Sequence, residues 1–200
     1  LTSGTSSVGN SGTIAFTSGK STGGKGGSIT LSVGEGNTGV GGDVTVNAGI
    51  TSASDNIGGA ITIASGKGTA TSSGAVSIST SDGGTAGVSG NIGLTTGDTA
   101  DGNTGTIAFT SGKSTGGKGG SITLSVGEGD TGIGGDVTVK AGNTIEDAGT
   151  TGGKIMLQSG ESALTSSGAF ALSTSNAGTS GVSGNVDINT GASSSGAAGS

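Results

Sequence analysis

The sequence predicts an all-β chain, a parallel β-solenoid (β-helix) of about 12 coils of 15–18 residues with a thin apolar core and no caps. Three observations predict it. A seven-residue pattern of alternating apolar and polar residues recurs along the whole chain. Gly precedes every recurrence and follows ten of the twelve. The composition lacks the large side chains that a thick core needs.

Composition sets the first bounds. Gly supplies 49 of the 200 residues and Ser plus Thr another 64, while Phe occurs three times and Met once. Trp, Tyr, Pro, Cys and His are absent. Such a mixture is common in disordered chains, but disorder would not space the apolar residues regularly, and here they are periodic. Without His or Cys, imidazole or thiol catalysis and soft metal sites are excluded, and disulfides say nothing about compartment. The formal net charge is −6, with seven Lys and no Arg, so nucleic acid is not an expected partner. No apolar run approaches the roughly 20 residues of a membrane helix, so no membrane is expected either.

Self-similarity appears at two scales. Residues 13–49 recur at 106–142 with only Asn37, Val40 and Asn47 changed, to Asp130, Ile133 and Lys140. One added residue before Lys154 then turns the offset of 93 into 94. The organisation read from this is a partial coil at 1–12, a first six-coil repeat at 13–105 and a second at 106–200, in one continuous solenoid.

Inside each long repeat are six short units starting with x-Φ-x-Φ-x-s-G, where Φ is apolar and s small, with Ser81 and Ser175 in place of the final Gly in two of the twelve. The first repeat supplies the Φ pairs Ile14 and Phe16, Ile29 and Leu31, Val44 and Val46, Ile61 and Ile63, Val76 and Ile78, and Ile92 and Leu94. The second supplies Ile107 and Phe109, Ile122 and Leu124, Val137 and Val139, Ile155 and Leu157, Phe170 and Leu172, and Val186 and Ile188. All 24 are apolar. A residue period of two puts positions two, four and six on one face of a strand, and these residues form the predicted core ladder. Position six reads Ser18, Val33, Ala48, Ser65, Thr80 and Thr96, then the same word again at Ser111, Val126, Ala141, Ser159, Thr174 and Thr190.

The residue before every start is Gly: Gly12, Gly27, Gly42, Gly59, Gly74, Gly90, Gly105, Gly120, Gly135, Gly153, Gly168 and Gly184. These are the predicted corner glycines, expected to supply strained or left-handed backbone. Each strand pattern runs on into a return segment that often carries one modest apolar residue near its end, such as Val40 or Ile57. One strand cannot offset the entropy of ordering some 15 residues, so stability is expected from stacking at about 4.8 Å, giving a rod of roughly 58 Å. Position eight would add a charge row on that rod, with Lys20 beside Glu35 and Lys67 beside Asp82. The chain starts mid-strand and neither end carries a polar cap, the expected look of a window from a longer array.

Several stretches resemble chemical motifs. Residues 19–27 (GKSTGGKGG), repeated at 112–120, combine Gly, Lys, Ser and Thr as a phosphate loop does, but lack the G-x-x-x-x-G-K-[ST] order and read as a turn. Asp43 and Asp136 in GGDVTV resemble calcium-roll ligands, yet occur once per six coils. Glu146 and Asp147 are adjacent acids without an aromatic sugar platform or an Arg. The opposite strand face, as in Thr13, Ala15 and Thr17, resembles the Thr-rich face of ice-binding solenoids, with its columns broken at Asp43, Asn91 and Asp187. No catalytic residue, cofactor or metal ligand is expected, and the chain is not expected to be an enzyme.

The acidic, Gly/Ser/Thr-rich, Pro- and Cys-free repeats resemble those of giant extracellular fibrous or adhesin-like surface proteins, bacterial or microalgal. The resemblance covers the whole chain but rests on repeat style, so no site residue transfers. It implies an extracellular or cell-surface location and a structural role as the shaft of a long filament or adhesive fibre. The expected partner is the chain itself, continuing end to end and associating laterally, with Ser and Thr open to glycans. The alternative is binding of ice, a surface or a polysaccharide through the outward Thr/Ser face.

Overall fold

The computed structural model describes residues 1–145, 151–193 and 199. It divides into two units, Leu1–Thr104 and Gly105–Ser200.

Among the described residues there is no helix and no strand, and no residue is buried. The parallel β-solenoid with a thin apolar core is therefore corrected: coils do not stack and the apolar ladder does not close. The surface gives the scale. Two separate compact bodies sharing 18.0 kDa would expose roughly 10,000 Å² between them. The chain exposes 19406 Å².

The geometry at the unit junctions explains the difference. In stacked coils, each position would sit above the same position of the preceding unit. Here the Gly before a start lies against position six of the preceding unit instead. A Cβ on Gly27 would fall 3.1 Å from Ser18 Cβ, and one on Gly42 would fall 2.7 Å from Val33 Cγ1. The same contact joins Gly90 to Thr80, Gly120 to Ser111 and Gly135 to Val126. At four junctions a backbone hydrogen bond closes the mouth. Gly59 N–H donates to Gly49 O at 2.8 Å, and Gly74, Gly153 and Gly168 donate to Gly66, Gly142 and Gly160, each at 2.9 Å. Each of these return segments is thus a closed loop. The chain leaves the end of one alternating segment, loops out and re-enters beside the same point.

This closure takes the backbone groups at the mouth out of ladder pairing, and among the described residues no backbone hydrogen bond joins one alternating segment to another. Two apolar side chains per unit, even if fully buried, would contribute about 3–6 kcal/mol. Fixing some 15 residues costs at least ~15 kcal/mol. The apolar pair of an isolated unit therefore does not offset the cost of ordering the whole unit, and among the described residues no strand ladder adds to it.

Exposure still differs between the apolar pairs and the return segments. Position-two residues of the apolar pairs are 41–62 % exposed and position-four residues 61–84 %, against 90–100 % for apolar residues of the return segments such as Val8, Val40 and Ile50. Val33 and Val126 at position six are half covered, each by the Gly before the next start.

Candidate functional site

The local contact that recurs most along the chain is the loop mouth, and its Gly serves close approach. None of the glycines preceding a start has a positive φ; the positive values fall at Gly4, Gly9, Gly39, Gly102 and Gly132. Gly39 and Gly132 occupy equivalent places in the two long repeats and share φ 82°, so that turn is set by the repeated sequence. The corner role expected of the bracketing glycines is replaced by a steric one: at the tightest junctions, Gly42 and Gly135, a Cβ would press on a methyl of Val33 or Val126 at position six, which would have to turn aside. Sequence reasoning missed this. The signal was present, since every position six is small or β-branched and the residue before the following start is always Gly.

The return loops hold further local contacts. In the first unit Ser6 Oγ donates to Val8 O at 2.9 Å, and Ala53 N–H donates to Thr51 Oγ1 at 3.2 Å. In the second, Thr165 N–H donates to Ser162 Oγ at 3.0 Å, and the two hydroxyls lie 2.9 Å apart. These are the short side-chain-to-backbone bonds by which Ser and Thr stabilise turns.

Among the sequence motifs, residues 19–27 and 112–120 form the same bend, with Gly24 near Ser21 Oγ and Gly117 near Ser114 Oγ. No helix follows either, so no helix N-terminus faces an anion there. Asp43 and Asp136 stand exposed, and among the described residues no three acids gather to hold a metal ion. Glu146 and Asp147 lie outside the described residues. Lys20 is not ion-paired with Glu35, nor Lys67 with Asp82, among the described residues, because the register that would set them side by side is absent. The Thr/Ser rows have no stacked strands to make them a flat array.

The predicted core-ladder residues are partly brought together. In the second unit Phe109, Ile122, Thr123 and Leu124 line a shallow apolar depression of about 240 Å³. Phe109 at position four of one unit thus borders both apolar residues of the next. No helix among the described residues is long and apolar enough to cross a membrane. No family model, no curated protein and no solved structure matches the sequence.

Proposed function

We propose that this chain is a non-catalytic structural segment of an extracellular or cell-surface fibrous protein, whose repeats associate with one another to make or reinforce a fibre. The observation that carries this role is the exposure of the apolar pairs. They recur at all 24 positions, yet each keeps between 41 and 84 % of its surface open. Apolar surface repeated in this way along one chain, with no buried core to take it up, is available for association with other chains. Near-identity over 37 residues of the two long repeats supplies many equivalent surfaces on one chain, as fibre-forming arrays do.

The test is location and form together. Antibodies raised against the chain should decorate filaments outside the cells that make it, seen by immunogold electron microscopy. Label confined to the cytosol, or found on discrete particles, overturns the role.

A further inference from the structure

We propose that residues 25–35 and their twin 118–128 are self-recognition segments, each pairing antiparallel with the same stretch of a second copy of this chain. This rests on the structural role above and names its partner, its register and its consequence.

The stretch KGGSITLSVGE is identical at 25–35 and 118–128. Its centre, SITLSV, carries no charge and no Pro and is rich in β-branched and apolar residues, the makeup of strands that pair with their own kind. Among the described residues no backbone hydrogen bond engages 28–33 or 121–126, so their N–H and C=O groups are an open template. The apolar residues are open as well: Ile122 is 62 % and Leu124 77 % exposed.

A second copy is the occupant for two reasons. The first is area. The chain as a whole exposes on the order of 9,000 Å² more than compact bodies of its mass would, so every copy offers open surface of the same kind to another. The second is charge. Directly opposite residues in an antiparallel pair share a face, so Ile29 must meet an apolar residue of the partner. A two-fold centred on Thr30 sets Ile29 opposite Leu31 of the second chain. The same register sets Lys25 opposite Glu35 at both ends, leaves Gly27 opposite Val33, and places Thr30 against itself. Parallel in-register pairing would instead oppose Lys25 to Lys25 and Glu35 to Glu35, which repel. One register thus satisfies apolar face, charge and steric fit together. The twin stretch does the same around Thr123, beside the depression that Phe109 borders.

Two such segments on one chain make the association open-ended. Each two-fold pairing is closed by itself, but the second site recruits another chain, so copies link into polymers.

The experiment is sedimentation velocity of the 200-residue chain over a concentration series. The wild type should grow without a fixed end point. Ile122→Ser with Leu124→Ser leaves one site and should stop at a dimer; adding Ile29→Ser and Leu31→Ser should give a monomer. Val40→Ser with Ile133→Ser, in return segments, should behave as wild type. For the register, Thr30→Cys should form an interchain disulfide on mild oxidation, while Val40→Cys should not. A wild type that stays monomeric at millimolar concentration, a one-site variant that polymerises fully, or equal cross-linking at both cysteines overturns the proposal. Filaments labelled outside the cell together with a monomeric chain in solution would sink the pairing and leave the structural role standing. Cytosolic label with polymers in solution would do the reverse.

Discussion

The return loops 67–73 and 161–167 occupy equivalent places in the two long repeats and close on the same bond, from Gly74 to Gly66 and from Gly168 to Gly160, each at 2.9 Å. Their interiors differ. In the first loop a Cβ on Gly68 would fall onto the Ser72 carbonyl oxygen, with Thr71 O at 2.8 Å. The equivalent position in the second is Ser162, which carries a Cβ and accepts the Thr165 amide at 3.0 Å. The same contrast holds one unit further on. A Cβ on Gly83 would lie 2.9 Å from Gly87 O, while its counterpart is Ala177. There the turn bond is 3.0 Å in the first loop, from Gly87 to Gly84, and 3.5 Å in the second, from Gly181 to Gly178. The glycine brackets therefore set closure, and the loop interior can drift and adopt another path. This fits a duplicated array whose loops diverge while its brackets stay fixed.

The contrast can be broken most severely at Gly68. Gly68→Ser puts a side chain where the first loop has only backbone, so the loop must adopt the second loop's path or open. The expected cost is about 1–3 kcal/mol of local order, read as faster amide exchange at Gly74. Replacing 67–73 wholesale with the second loop's sequence should restore that protection; failure to do so would show that the bracket alone does not set closure. Gly42→Ala comes next. Its Cβ would press on Val33 Cγ1 at 2.7 Å, but a side-chain methyl can turn away, so the effect should stay below about 1.5 kcal/mol. Adding Val33→Ala should remove it, and a double-mutant cycle measures the coupling. Ser162→Ala should speed Thr165 amide exchange about threefold to tenfold through loss of one hydrogen bond, while the Gly168 bond persists. Gly184→Ala is the smallest: the nearest group, Thr174 Cγ2, would sit at 3.8 Å, so chemical shifts beyond the neighbouring residues should not move.

Much of the organisation was legible in the residues. The 93-residue repeat, the alternating apolar pairs and the Gly before each start could all be read directly, and the apolar pairs are less exposed than the apolar residues of the return segments. The stacking was not legible, and the β-solenoid inferred from it is the main correction. A two-residue period is the same whether an extended segment lies under an identical neighbour or faces solvent, so Ile14 and Phe16 carry no mark that distinguishes the two. The charge row from Lys20 to Glu35 failed with it, since it assumed the same register. The loop-mouth contact between position six and the following Gly was encoded all along, but a bracketing Gly has two physical meanings, left-handed backbone and close approach, and only coordinates separate them.

The sequence by itself determined which residues are apolar, how often they return, and that catalytic imidazole and thiol groups are missing. Tertiary structure alone decided where each return segment lands. It brings Gly42 to Val33 and Gly135 to Val126, and so leaves the alternating segments open instead of stacked. The physical reason is that alternation fixes the face of a residue but not its neighbour. Neighbours are chosen by where a flexible, Gly-rich loop closes, and closure costs little more entropy for one landing point than for another.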